Sequence, residues 1–192
     1  NIISFDKRNL TGCVNFYDIK VKNLNFISNK AKCEDSVNFV RVYGNVKNLD
    51  ISNSAFDAMD SDFSKMHFDN VKIEKSMNDC LDFSYGEYKV KKSEINFCGD
   101  KAISIGEMSK ISITDTNIYN SNSGIVSKDY SVSKVYKSAI KNTQFCFQAY
   151  NKKQEFSGGY LEINETTCDQ SNDEIIYKDN SSKIKFIEWV LD

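Results

Sequence analysis

Residues 71–84 read VKIEKSMNDCLDFS, and they contain two short stretches in which apolar and polar side chains alternate. The first is VKIEKS (71–76) and the second is DCLDFS (79–84). Alternation with period two predicts half-buried β-strands, because successive side chains of a strand point to opposite faces of a sheet. The stretch therefore predicts a unit of at least two short strands.

The same unit recurs along the whole chain. Each copy starts with apolar residues at alternate positions and reaches a Ser, Thr or Asn shortly afterwards. Taken at the second apolar position, the markers are Val21, Ile51, Ile73, Val90, Ile113, Val135, Ile163 and Phe186. The steps between them centre on 22–23 residues and range from 17 to 30. A fixed period in this range is typical of repeat architectures, in which like residues stack from unit to unit.

Two architectures accommodate short strands at this spacing, a solenoid and an antiparallel sandwich. A sandwich needs hairpin turns, yet the chain has no Pro, no NG pair and no DG pair. The leucine-rich repeat pattern is also missing. We therefore predict an all-β fold, a right-handed single-stranded parallel β-helix of about seven or eight coils. It forms a single domain over residues 1–192.

Three stretches carry a resemblance to a known superfamily: VKNLDISNSAFDAMD (46–60), VKIEKSMNDCLDFS (71–84) and ISITDTNIYNSNSGIVSKD (111–129). They resemble the degenerate repeats of right-handed β-helix proteins of the pectate-lyase-like superfamily, over roughly residues 10–190. Residues 99–159 also resemble β-helix segments attached to spore-coat-kinase-like domains of large secreted proteins. The superfamily of the first resemblance includes polyuronate lyases, polygalacturonases, epimerases, phage tailspikes and adhesins. The resemblance therefore implies a fold and does not imply one particular chemistry.

The composition and net charge limit the classes of partner that we expect the protein to bind. The net charge of −2 gives no reason to expect nucleic acid, and no apolar run is long enough to span a membrane. The chain starts without Met, so we expect a fragment or terminal domain of a larger protein, with covalently linked domains or a trimer as open alternatives. Six cysteines lack any CxxC spacing, and most are expected to be buried thiols.

Acidic residues recur beside the second strand of successive units. Aligning the units places Asp57, Asp79 and Asp100 at one position and Asp60 and Asp82 at another, with Asp62 close by and Ile103 following Asp82. Neighbouring strands lie about 4.8 Å apart, so Asp60 and Asp82 should be neighbours. Such a pair suits calcium-assisted lyase chemistry, with Asp60 and Asp82 as Ca²⁺ ligands, or inverting glycoside hydrolysis. The alternative is a row of solvated surface acids.

Lysines and aromatic residues complete the candidate site. Lys128 and Lys152 could act as bases toward a sugar or hold its carboxylate, whereas Tyr85 and Lys153 could bind substrate. His67 lies on the other strand of its unit and is expected to have a surface or packing role. Further tyrosines that could stack on sugars are Tyr88, Tyr119 and Tyr130. The side chains expected to stack inside the helix are Phe16, Phe39, Phe63, Phe83 and Phe97.

The preferred function is non-catalytic recognition of an extended polysaccharide, or display, by a secreted, cell-surface or virion protein. An enzyme would be a polysaccharide lyase, epimerase or glycoside hydrolase with Ca²⁺ as its only expected cofactor. Its candidate catalytic residues are Asp60, Asp62, Asp82, Lys128 and Lys152. A third alternative is a structural spacer without a ligand. No cofactor is expected unless the protein is an enzyme.

Overall fold

The computed structural model describes Arg8, residues 10–169 and residues 175–190, and all regular structure within them is β. There are sixteen strands in the described residues. They are β1 (Gly12–Tyr17), β2 (Lys20–Asn29), β3 (Asp35–Val40), β4 (Tyr43–Ser54), β5 (Asp57–Asp62), β6 (Lys65–Asp69), β7 (Val71–Ser76), β8 (Leu81–Ser84), β9 (Glu87–Cys98), β10 (Lys101–Ile105), β11 (Lys110–Lys128), β12 (Val132–Tyr136), β13 (Ala139–Tyr150), β14 (Tyr160–Asp169), β15 (Ile176–Lys178) and β16 (Lys183–Val190).

The strands pair in parallel around three faces, which we call sheets 1, 2 and 3. Sheet 1 contains β1, β3, β5, β8, β10, the ends of β11 and β13, and β15. Sheet 2 contains β6, β12 and the starts of β4, β9, β11, β14 and β16. Sheet 3 contains β7 with the later parts of β2, β4 and β9, the middle of β11 and the start of β13. The prediction of a parallel β-solenoid with about eight turns is confirmed.

The marker series of the sequence combines two sheets. Ile51 and Ile73 pair with each other in sheet 3, whereas Val90, Ile113 and Val135 follow one another in sheet 2. The partner of Val90 in the preceding turn is Phe68 rather than Ile73. Strands of both sheets point an aliphatic residue inward at alternate positions, so the pattern passes from one sheet to the other at the irregular 17-residue step.

Most corners between sheets are built from single residues with positive φ. The corner between sheets 1 and 2 uses Asp18, Arg41, Phe63 and Tyr85, with φ between 50° and 55°, and in the next two turns it uses the pairs Glu107–Met108 and Asp129–Tyr130. The other two corners recruit mainly Asn and Lys, among them Asn53, Asn70, Lys92, Asn120 and Asn142. Asn adopts this left-handed region more readily than other non-Gly residues. Single-residue corners explain why the chain turns without Pro and with few Gly.

Aromatic side chains connect the inner faces of sheets 1 and 2. Phe39 lies 5.7 Å from Phe68, and Phe68 lies 5.8 Å from Phe83, between ring centroids. All three are fully buried, and Phe16 stacks on Phe39 at 5.0 Å. The expectation that Phe63 and Phe97 join this stack is wrong. Both occupy corners with positive φ and are about half exposed.

The six cysteines form three disulfides, so the expectation of buried thiols is wrong. The pairs are Cys13–Cys33, Cys80–Cys98 and Cys146–Cys168, separated by 20, 18 and 22 residues. Each pair lies within about one turn of the solenoid, which a linear search for close cysteine spacings does not reveal. Disulfides persist in oxidising environments and are rare in the cytosol. The three bonds therefore favour an extracellular-type setting.

Within the described residues, no helical segment has the length and apolar character needed to cross a membrane.

Candidate functional site

The acids of sheet 1 stack in register over neighbouring turns. Asp60 on β5 pairs directly with Asp82 on β8, which confirms that the two are neighbours. In the preceding turn Asn38 pairs with Asp60, and Asp35 pairs with Asp57. Because strands of a sheet lie about 4.8 Å apart, these side chains form a narrow acidic band on the outer face.

The sequence alignment slips by one residue at β10. Asp82 pairs with Ser104, whereas Ile103 pairs with the inward-facing Leu81, so the placement of Ile103 after Asp82 is wrong. Likewise, Lys101 rather than Asp100 follows Asp79, and its backbone N–H donates to the Asp79 carboxylate at 2.9 Å. Both sides of this strand are buried, Ala102 and Ser104 on one side and Ile103 and Ile105 on the other, so alternation of buried and exposed residues does not fix its register.

Asp35, Asp57 and Asp60 each accept hydrogen bonds from defined partners. Asn38 Nδ2 donates to Asp60 at 2.9 Å and to Asp35 at 3.3 Å. Asp57 accepts hydrogen bonds from the Asn78 amide at 2.6 Å and the Asp79 backbone at 2.9 Å. By contrast, Asp82 Oδ1 is buried and has no hydrogen-bond partner in the described part of the chain. A buried acceptor without a donor is costly unless a ligand or water supplies one.

Burial and mutual repulsion raise the pKa values of these carboxyl groups. Burial is the largest cause in each case, and it raises the pKa of Asp35 to about 6 and that of Asp57 to about 7. The pKa of Asp60 is raised well above its ordinary value by burial, then by the charges of Asp62, Asp82 and Asp35. The pKa of Asp62, which hydrogen-bonds with Asp60, is also raised by burial. Protons in the band therefore persist toward neutral pH.

Lysines close the far side of the acidic band. Lys128 is 4% exposed and donates from Nζ to Ser104 Oγ at 2.8 Å. Lys153 forms an ion pair with Glu107, which also accepts a hydrogen bond from Ser84 at 2.5 Å. Burial opposes ionisation of Glu107, but these two hydrogen bonds outweigh it and hold its pKa below the ordinary value.

The loop after β13 brings Lys152 and Lys153 to the site, whereas Lys128 is the last residue of β11. The backbone N–H groups of Lys152 and Lys153 donate to Asp129 Oδ1 at 2.7 and 2.9 Å. Asp129 is fully buried, so it anchors the loop from beneath.

Acids and lysines together line one cavity of about 260 Å³, which we call the acidic cavity. The predicted residues that line it are Asp60, Asp62, Asp82, Lys128, Lys152 and Lys153. The residues that the sequence did not single out are Thr11, Glu34, Asp35, Asp57, Ser84 and Glu107. The sequence predicts Asp57 only as a repeat position, and it predicts no role for Glu107. Seven acids face three lysines here, so the cavity is net negative when its acids are ionised.

Asp60 and Asp82, the Ca²⁺ ligands predicted from the sequence, lie side by side, and their role as a calcium site stays a prediction. Ca²⁺ takes six to eight oxygen ligands at about 2.3–2.6 Å. Across the described residues, no group of three or more His, Cys, Asp or Glu side chains is arranged to hold a metal ion. Asp60 already accepts from Asn38, and it shares a hydrogen bond with Asp62.

An aromatic ridge lies at the neighbouring corner between sheets 1 and 2. Phe63 and Tyr85 stack at 4.8 Å with an interplanar angle of 7°. Phe156 from the β13–β14 loop contacts Tyr85 at 6.3 Å and Tyr130 at 6.1 Å. Phe63 and Tyr85 also line an open groove of about 550 Å³ together with Tyr43 and Met108. We call Phe63, Tyr85, Tyr130 and Phe156 the aromatic ridge.

The remaining predicted residues lie elsewhere. Tyr88 is buried and donates its hydroxyl to the Ser61 carbonyl at 2.7 Å, so it offers no stacking surface. Tyr119 is partly buried on the stretch of β11 that belongs to sheet 3, away from the ridge. His67 lies exposed on β6 in sheet 2, on a different face from the acidic cavity.

No protein family model matches the chain, and neither the curated proteins nor the solved structures contain a significant match. The fold is a parallel β-solenoid of about eight turns, and its functional interpretation depends on the site alone.

Proposed function

We propose that the protein recognises a polysaccharide through the aromatic ridge and the acidic cavity beside it. The observation that carries this proposal is the exposed, stacked Phe63–Tyr85 pair next to a carboxylate band with an unsatisfied buried acceptor. Aromatic faces pack against the C–H faces of sugar rings, whereas carboxylates accept hydrogen bonds from sugar hydroxyls. Few well-placed polar groups beside an aromatic surface are typical of ligand sites.

The charge of the cavity favours a neutral or amino-sugar glycan. The acids of the cavity outnumber its lysines by seven to three, so ionisation of most of these acids makes the cavity negative and repels a uronate carboxylate. A lyase or epimerase acting on polyuronates therefore has less support than a binding protein. The resemblance to pectate-lyase-like repeats and the three disulfides support a secreted, cell-surface or virion setting.

The test compares two exposed phenylalanines that differ in location. Phe63 and Phe97 are 50% and 51% exposed, with φ of 52° and 55°, and Phe97 lies at a corner away from the ridge. A screen against neutral and amino-sugar glycans should give a ligand whose affinity falls at least tenfold in Phe63→Ala and Tyr85→Ala. Phe97→Ala should bind like the parent protein. Equal loss in Phe97→Ala, or no ligand in a broad screen, would favour a structural spacer instead.

A second candidate function is glycoside hydrolysis at the same site. The raised pKa of Asp60 supports it, because a general acid must hold its proton near neutral pH. Asp82 on the adjacent strand would then be the second carboxyl. One strand spacing of about 4.8 Å resembles the separation of about 5–5.5 Å in retaining enzymes more than the 6.5–9.5 Å of inverting ones.

Incubation of the ligand with the protein separates hydrolysis from binding alone. Hydrolysis predicts new reducing ends with retained anomeric configuration, and it predicts that Asp60→Asn abolishes them while ridge-dependent binding persists. Binding without any new reducing ends over extended incubation contradicts this second candidate.

A further inference from the structure

Over four consecutive turns, β6, β9, β11 and β12, the outer face of sheet 2 presents exposed lysines that alternate between two register columns, and Lys91 lies in a third column beside them. Lys65, Glu87 and Lys110 succeed one another in the first column. In the second column, Lys89, Ser112 and Lys134 do so. We call Lys65, Lys89, Lys110 and Lys134 the lysine zigzag. Its cations advance by about 4.8 Å per turn along the solenoid axis.

The zigzag lines a groove rather than a flat surface. A cavity of about 380 Å³ is lined by all four lysines, by His67, and by Glu87 as its one acid. Lys65 pairs with Glu87 at 2.7 Å, and Lys134 pairs with Glu162 at 3.5 Å. Within the described residues, Lys89 and Lys110 have no ion-pair partner. The groove thus contains positive charge that the protein itself does not neutralise.

We propose that this groove binds a linear polysaccharide with regularly spaced carboxylate or sulfate groups, lying along the solenoid axis. In an extended sugar chain, successive residues can present their charged groups on alternating sides, at a spacing comparable to one sugar residue. The zigzag offers cations with the same alternation. The ligand and the face differ from those of the neutral-glycan site, so the proposal is independent of it.

A nucleic acid fits these observations less well. The groove contains no arginine, the side chain that pairs with phosphate in bidentate geometry. The protein as a whole has a net charge of −2, and sheet 1 is acidic, so the long-range field repels a bulky polyanion. A narrow chain that stays within the sheet 2 groove avoids that repulsion.

The experiment uses oligogalacturonate and sulfated dextran oligosaccharides as probes, with unmodified dextran and a DNA oligonucleotide for comparison. Calorimetry should detect both anionic glycans, and their affinity should fall with added salt. The Lys89→Gln/Lys110→Gln double variant should lose at least tenfold in affinity. Lys72→Gln/Lys75→Gln is the matched control, because it removes two exposed lysines outside the groove. It should change affinity less than twofold.

His67 provides a second readout, since it is the single histidine of the chain. Burial is the largest cause of its lowered pKa, followed by Lys89; Asp69 opposes the shift, and Lys65 and Lys91 add to it. Its neighbour on β4, Asn45, is uncharged. An anionic sugar in the groove should raise the pKa of His67 measured by NMR, whereas unmodified dextran should leave it unchanged.

Three results would overturn the proposal. The first is equal loss of affinity in the two double variants, which would mean diffuse attraction. The second is DNA binding as tight as glycan binding, which would mean a general polyanion surface. The third is failure of the predicted interaction itself. It would be seen either as no binding of the anionic glycans at low salt, or as binding that leaves the His67 resonance unchanged. None of these outcomes alters the test of the aromatic ridge, because that test uses neutral glycans and residues on another face.

Discussion

Asp82 lies on a repeating face of the solenoid, and the protein leaves one of its carboxylate oxygens without a hydrogen-bond donor. Its Oδ1 atom is buried without a partner, although its neighbour Asp60 has Asn38 as a donor. In a regular ladder, the residue after Asp60 would supply a donor as Asn38 does. The chain instead places another acid there, at a cost in stability. Local arrangements that lower the stability of the fold are typical of functional positions.

Asp82→Asn should stabilise the folded protein. The new amide can donate to Asp60 and removes a charge that raises the pKa of Asp60. We expect a gain of about 1 kcal/mol, which corresponds to an increase of about 2–4 °C in melting temperature. Calorimetry at pH 8 measures it, and the gain should narrow at pH 5, because the raised pKa of Asp60 lets its carboxyl keep more of its proton at the lower pH. Asp50→Asn on the exposed side of sheet 3 is the control and should change little.

A lower melting temperature for Asp82→Asn at pH 8 would contradict this account, because it would mean that the Asp82 charge stabilises the site.

At the scale of a strand, Gly44 marks a close approach between turns. It pairs with Val21, it has φ of 129°, and a Cβ atom there would lie 1.8 Å from the Val21 carbonyl oxygen. Gly44→Ala should therefore destabilise the protein by about 2–4 kcal/mol, measured by denaturant unfolding. Gly106→Ala is the control, since the nearest atoms to its Cβ are at 3.7 Å, an ordinary contact. Similar stability of the two variants would mean that β2 and β4 can separate freely.

The strands also show what sequence alone can predict. Period-two alternation identifies strands such as VKIEKS and LDISNS, because one face of each is buried. Alternation does not distinguish one sheet of a solenoid from the next. The series of marker residues therefore passes from sheet 3 at Ile73 to sheet 2 at Val90. Register also fails at β10, whose buried side chains lie on both faces. The acidic pair Asp60–Asp82 was predictable because both strands there alternate cleanly.

Other features depended on information that short-range pattern does not contain. A phenylalanine at an alternate position usually points inward, but Phe63 follows the end of β5, where the chain turns the corner. The disulfides join residues that become neighbours only after a full turn has formed. The positions of Lys152 and Lys153 in the acidic cavity depend on the path of the β13–β14 loop, which Asp129 fixes through backbone hydrogen bonds.

At the scale of the whole molecule, the raised carboxyl pKa values predict a stability maximum in acid. The folded protein holds protons on Asp35, Asp57 and Asp60 at pH values where the unfolded chain has released them. The contribution of Asp35 and Asp57 to stability is complete below about pH 4 and is lost as pH rises through about 6 to 7. Groups with a lowered pKa, such as Glu107, contribute their full stabilisation of the folded state above about pH 5, so they do not reverse the loss of stability as pH rises further.

We therefore expect the melting temperature to fall by about 5 °C or more between pH 5 and pH 8. Calorimetry over this range measures the change. A flat profile, or a rise toward pH 8, would contradict the burial of protonated carboxyls in sheet 1. Asp57→Asn should flatten part of the slope because it removes the group with a pKa of about 7.

The disulfide Cys146–Cys168 spans the β13–β14 loop, whose residues Lys152 and Lys153 are exposed. A protease such as trypsin that cuts after either lysine severs the backbone but leaves both pieces covalently joined. Limited digestion should therefore leave the full mass on a non-reducing gel and release two fragments under reducing conditions. Two fragments without reductant would mean that this bond is absent. A clipped chain held in this way stays one covalent molecule with its turns stacked, so the protein can tolerate a nick in the β13–β14 loop.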